Sequence, residues 1–166
     1  MTTRPAHLTP SLILLVGLGG AAGTGARYAL TSAVPPVDGG WPTATFVENL
    51  VGAFLLGLLL ELLVRRGPES SGTRRLRLAL GTGVLGGFTT FSTLAIEVER
   101  LGAAGHVGTG LAYGLVSVVL GFLAALLGVL AGARHHSWRA ARLRLDPDVA
   151  GPVGPTAAGG VEEDAR

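Results

Sequence analysis

The densest collection of residues able to handle an ion is the run Gly83-Val84-Leu85-Gly86-Gly87-Phe88-Thr89-Thr90-Phe91-Ser92-Thr93. It combines glycines, four hydroxyl side chains and two aromatic rings, yet it lies in an apolar stretch with no charge between Arg77 and Glu97. Such a run is poor material for a lipid-facing helix. It predicts a helix broken near mid-membrane, whose freed carbonyls and amides must be satisfied by protein, ion or water. A kinked but inert helix, its hydroxyls bonded back to the preceding turn, would use the same residues.

Two further polar tracks accompany it. Asn49 has Thr45 one turn before it and Gly52 one turn after, which gives one helix face a polar stripe. An amide in lipid needs a partner, and an interhelical hydrogen bond that serves as packing glue accounts for it as well as an ion path does. Tyr113, Ser117 and Gly121 repeat at four-residue spacing, so a phenol, a hydroxyl and a gap share a face. Amide N–H, hydroxyl O–H and ring edges can all face an anion, and the only mid-helix cation is Arg27. Donors without a fixed full charge can replace hydration and still release the ion. The chemistry suits a small, strongly hydrated anion.

The elements that must carry these residues follow from hydropathy. Of 166 residues, 48% are hydrophobic and 14% charged, with a mean hydropathy of +0.51, too apolar for a globule with a wet surface. Apolar stretches run over Leu12–Val34, Trp41–Val64, Leu76–Ile96 and Val107–Ala133. Each meets the requirement of about 20 residues for a hydrocarbon core of about 30 Å. The first has Arg4 before it and small residues after it, as a signal peptide does, but three more apolar stretches follow. The fold expected is an all-α membrane protein of four transmembrane helices, the third broken. Residues 1–133 form the membrane domain, and 134–166 a basic and then disordered tail. Glycine pairs at four-residue spacing (Gly19 and Gly23, Gly83 and Gly87, Gly110 and Gly114, Gly128 and Gly132) predict close helix packing.

Charge sets the expected orientation. All 13 basic residues are arginine, a bias of coding composition rather than of mechanism. Arg4, Arg65, Arg66, Arg74, Arg75, Arg77, Arg134, Arg139, Arg142 and Arg144 fall on one side, and the opposite loops hold only Arg100. The positive-inside rule then makes the protein a multi-pass component of the cell membrane with both termini cytoplasmic. With no cysteine, thiolate metal sites and cysteine nucleophiles are excluded. The four histidines are scattered and no nucleophile has a base at working distance along the chain, so an enzyme is not expected. The basic tail is nearer to anionic lipid than to nucleic acid, and no nucleic-acid partner is expected.

Several ordered motifs resemble the Fluc (CrcB) fluoride channels: Gly19-Gly20-Ala21-Ala22-Gly23-Thr24-Gly25-Ala26-Arg27-Tyr28, then Asn49 with Gly52, Phe54 and Gly57, then Gly86 to Thr93. A lone GxxxG would be weak, but this ordered set over roughly the first 133 residues is specific. The resemblance implies a fluoride-selective passive channel that exports toxic fluoride, built as an antiparallel dual-pore dimer around a structural sodium ion. Asn49 would be the pore amide, Phe88 and Phe91 the aromatic edges, and Thr89, Thr90, Ser92, Tyr113 and Ser117 the polar lining. Carbonyls of Gly83 and Gly86 would hold the sodium.

Two positions depart from the family's pattern. Gly121 replaces a hydroxyl expected on the Tyr113 track, and Glu48 sits beside the pore amide where an apolar residue is usual. An intramembrane carboxylate is costly and by default functional. Glu48 would pair with Arg27, or serve as a protonatable group near the vestibule. Glu97 and Glu99 read as a solvated rim. An antiparallel homodimer needs copies inserted both ways, whereas the arginine count fixes one orientation, so a related subunit of opposite charge bias is expected as partner. Two rival functions remain: a pore-inactive subunit of a heterodimeric channel, and a small proton-coupled exporter using Glu48.

Overall fold

The computed structural model describes residues 9–144, and all of its regular structure there is helical. Helix α1 spans Pro10–Ala33 and α2 spans Thr43–Val64. The third span, Ser71–Ala103, is composite. It begins as α3 (Ser71–Leu76), widens into a π-helix over Arg77–Leu85, closes with the single turn α4 (Gly86–Phe88), breaks at Thr89 and Thr90, and resumes as α5 (Phe91–Ala103). Helix α6 covers Val107–Arg144. Four spans are long and apolar enough to cross a membrane.

These bounds refine the hydropathy reading. The third span is longer than Leu76–Ile96 at both ends, because Ser70 caps its start by accepting the Thr73 N–H and the amphipathic Glu97–Ala103 stretch stays helical. It stops at Gly105, which takes a left-handed φ of +84° while the His106 N–H reaches the Leu101 carbonyl at 2.8 Å. The chain thus turns directly into α6. That helix continues through Arg144, past the end of its apolar part near residue 133. Arg4 and the tail from Asp146 onward lie outside the described residues.

Two tight seams hold the spans together, and glycine makes both. Gly19, Gly20 and Gly23 of α1 face Ala79, Gly83, Val84 and Gly87 of the third span. A Cβ on Gly19 would stand 2.6 Å from the Ala79 carbonyl oxygen, and one on Gly23 would collide with the Val84 carbonyl. On the other side, Gly57 meets the Ala125 carbonyl, and Gly128 meets the backbone of Phe54 and Leu58, which joins α2 to α6. Without a hydrophobic force between helices in lipid, such backbone approach is what packing has to offer. The expected close packing at Gly19, Gly23, Gly83, Gly87 and Gly128 is therefore present.

One end of the bundle holds a compact core. Leu94, Leu101 and Tyr113 are buried there, packed by Trp41, Phe46 and Val98. Trp41 meets both Phe46 and Tyr113 edge-to-face, with ring centroids 5.4 Å apart in each case. Tyr28, Phe91, Leu111, Leu115 and Phe122 point outward, as a chain solvated by lipid or by a second subunit requires.

Candidate functional site

The break in the third span is the organising feature. Thr89 (φ −83°, ψ 155°) and Thr90 (φ −151°, ψ 114°) are extended, a geometry that suits β-branched residues and needs no positive φ. Several of the polar groups that the break frees find protein partners. The Thr89 hydroxyl donates back to the Leu85 carbonyl at 2.9 Å, and Thr90 Oγ1 accepts the Thr93 N–H at 3.1 Å as the N-cap of α5. Across the gap, Asn49 Nδ2 donates to the Thr90 carbonyl at 3.0 Å while Asn49 Oδ1 accepts the Thr90 N–H at 2.8 Å. The side chain acts as a surrogate strand. Its two bonds pin the break to α2.

This pairing has a consequence for Gly86. In a continuous helix the Thr90 N–H would close onto the Gly86 carbonyl, but here it is taken by Asn49. The Gly86 carbonyl is therefore released, at an exposed residue. Backbone carbonyls are the donor type that a hard cation takes, so Gly86 fits the sodium role implied by the resemblance. Gly83 does not fit. Its carbonyl accepts the Gly86 N–H, and it is buried against Val16 and Gly19 of α1. No cluster of three or more His, Cys, Asp or Glu side chains able to hold a metal is present among the described residues.

Clefts lie on both sides of the pinned break. One, of about 250 Å³, has mostly apolar walls (Ala53, Leu56, Leu85), with Asn49 and Thr89 as its polar side chains. The other, about 300 Å³, is a chamber of hydroxyls (Thr24, Thr31, Thr45, Thr90, Thr93) together with Arg27, Tyr28 and Glu48. Beyond it an outer cleft of about 530 Å³ shares Thr31 and Thr93 with the chamber and reaches Asp38, Trp41, Glu97 and Arg100. A chain of polar cavities thus runs from the Asp38 and Arg100 end of the bundle to Thr90.

Within this region the sequence-derived residues sort clearly. Asn49, Thr89, Thr90, Ser92 and Thr93 come together at the break. Tyr113, fully buried, donates to Glu97 Oε2 at 2.7 Å, and the buried Thr45 donates to Glu97 Oε1 at 2.8 Å. Glu97 is therefore not a solvated rim residue: both of its oxygens are held by neighbouring helices. Glu99, by contrast, is exposed. Ser117 is 5% exposed and its hydroxyl has no hydrogen-bond partner among the described residues, an open polar valence one turn along α6 from Tyr113. Phe88 is half-buried near Gly52, whereas Phe91 is 74% exposed, and no ring contact joins them.

Glu48 also differs from the expected pairing with Arg27. It is 1% exposed and its Oε1 accepts the Thr31 hydroxyl at 2.9 Å. Arg27 lines the same chamber and its charge reaches Glu48, but the two form no ion pair. Thr31, one turn beyond Arg27, takes the near position instead. Thr31 and Glu97 were both missed as site residues, although Thr90, Thr93 and Glu97 stand at i, i+3 and i+7 on one face of α5.

Four spans, a stapled break and a file of cavities with hydroxyls in their walls suit an ion-conducting membrane protein. The profile described as "CrcB-like protein, Camphor Resistance (CrcB)" matches residues 14–129, and the chain belongs to that family. Among similar curated proteins is "Fluoride-specific ion channel FluC 2" of Leifsonia xyli, 47% identical over 129 residues that make up 78% of this chain and 88% of that one. "Fluoride-specific ion channel FluC 1" of Cutibacterium acnes is 46% identical over 122 residues, 74% of this chain and 85% of that one. "Fluoride-specific ion channel FluC" of Phenylobacterium zucineum is 46% identical over 123 residues, 74% of this chain and 95% of that one.

Proposed function

We propose that this chain is a subunit of a fluoride-selective passive channel that lets toxic fluoride leave the cell. The observation that carries the reading is the Asn49–Thr90 staple set between clefts, in a chain whose relatives are named fluoride-specific ion channels. Fluoride is small and tightly hydrated. A path of hydroxyls can replace its water shell piecewise, and the absence of a close full positive charge at the break lets the ion go again. Thr89, Thr90, Ser92, Thr93 and the open hydroxyl of Ser117 supply those donors, with the edges of Phe88 and Phe91 along the way.

Phe91 stands outward and the clefts open on the chain's surface, so the conduit is completed by a second subunit in antiparallel orientation. Sodium, held in part by the Gly86 carbonyl, would supply fixed positive charge that ties the two broken helices together. The arginine asymmetry puts both termini in the cytoplasm and favours a related partner of opposite bias over a homodimer. Proteoliposomes loaded with fluoride test the reading: the purified protein, alone or with a co-expressed sibling, should release fluoride and retain chloride. Retention of fluoride by both preparations would overturn it.

The buried Glu48 gives the proton-coupled exporter its one specific support. An exporter would show saturable antiport driven by a proton gradient, whereas the channel passes fluoride current without one. A pore-inactive subunit would tolerate replacement of Asn49, Phe88 and Phe91 in turn.

A further inference from the structure

The chamber that leads to the break already contains an acidic side chain. Glu48 projects from α2 into a cavity otherwise lined by hydroxyl side chains and Arg27, and it accepts one of those hydroxyls, Thr31 Oγ1, at 2.9 Å. That is the kind of contact a permeating halide would seek. Glu97, the other carboxylate nearby, is differently placed: both of its oxygens are occupied, by Thr45 and Tyr113. Glu48 has a single such donor, and Arg27 acts on it only from a distance.

We propose, on the footing that the chain conducts fluoride, that Glu48 is a tethered competitor for the ion. Its carboxylate occupies the chamber beside the Asn49–Thr90 staple, and fluoride passes freely when that carboxylate takes up a proton. The step is a protonation alone. A proton from the solution at the Asp38 and Arg100 end enters by way of Thr31 and Thr93, which line both the outer cleft and the chamber. It neutralises the carboxylate and removes the repulsion between two like charges in a confined, poorly screened space.

Charged and titratable groups face Glu48 from several elements. Arg27 and Tyr28 approach from α1, Glu97 from α5 and Tyr113 from α6, with Asp38 and Arg100 in the outer cleft. Arg27 lowers the repulsion without cancelling it, since it closes no ion pair. Glu97 adds to it. With Glu97 counted behind the chamber wall at Thr45, two carboxylates stand against the one arginine while Glu48 is ionised, which is the wrong sign for an anion path and the reason a proton matters here.

Fluoride efflux from proteoliposomes, measured from mildly acidic to mildly alkaline pH with the leak of empty vesicles subtracted, tests this. The whole channel is used, with its co-expressed sibling if one is needed for flux. Wild-type flux should rise on acidification. Glu48→Gln, which keeps the size and the Thr31 contact, should be pH-independent and faster than wild type at alkaline pH by roughly tenfold. Glu48→Asp, which keeps a titrating charge, should retain the pH dependence and serves as the second variant should Glu48→Gln assemble poorly. Flux that is independent of pH in the wild type, a Glu48→Gln variant that is slower than wild type, or one that keeps the wild-type pH profile would each overturn the proposal while leaving the channel reading intact. A wild type that passes no fluoride at any pH would overturn both.

Discussion

At the scale of single residues, position counts for less than which hydrogen bonds a side chain is free to make. Asn49, the expected pore amide, commits its Oδ1 and one Nδ2 hydrogen to the Thr90 backbone, and its second Nδ2 hydrogen stays available to an ion. Its first task is to hold the break. Asn49→Ala should strip the Thr90 N–H and carbonyl of their partners and cost roughly 2 to 4 kcal/mol, read as a lower melting point in detergent together with lost fluoride efflux. A residue that served only as an ion ligand would lose efflux with its stability unchanged. Tyr113→Phe removes the donor to Glu97 Oε2 while keeping the ring against Trp41. It should cost about 1 to 2 kcal/mol by the same measurement. No change in melting point would show that the phenol is held for conduction rather than for stability.

At the scale of elements, the third span does what no uniform helix can. Its π-helical part, rich in glycine, brings the backbone flush against α1, and its extended Thr89–Thr90 link redirects one peptide N–H from the chain to α2. Widened turns and breaks of this kind are tolerated in a membrane only where protein satisfies the backbone, and here α1 and α2 do so from opposite sides. The α1 seam gives a sharp contrast within one helix. Gly23→Ala drives a methyl group into the Val84 carbonyl and should cost about 1 to 3 kcal/mol. Gly17→Ala meets nothing within 4 Å and should be neutral or stabilising by up to about 1 kcal/mol. Thermal unfolding of the two variants side by side checks this, and equal losses would mean that the seam is looser than drawn.

At the scale of the whole molecule, the outward faces and the charge distribution decide assembly. A cluster of buried side chains gathers at one end, around Leu94, Leu101 and Tyr113, while large apolar side chains cover the outside. Such outward faces suit a lipid surrounding. Ten arginines on one side predict that most copies insert alike. Since the protein has no cysteine, a single Glu69→Cys variant can report this directly. A membrane-impermeant thiol reagent should label it in inverted vesicles and leave it unlabelled in intact cells. Substantial labelling from both sides would instead support dual insertion and a homodimer.

How much of this was legible without coordinates follows from what periodicity can carry. Apolar length gave four spans, arginine placement gave an expected orientation, and the glycine and threonine run located the break within a few residues, because each of these is a local property of the chain. Spacing also put Thr45 and Asn49, or Tyr113 and Ser117, on shared faces. It could not say which helix each face would meet. That Glu97 binds Tyr113 and Thr45, that Glu48 takes Thr31 rather than Arg27, and that the Asn49 amide holds a backbone are contacts between residues 16 to 52 positions apart. They depend on the rotation and depth of each helix in the bundle. Those are set by which glycines allow two backbones to touch, and only the tertiary structure decided them.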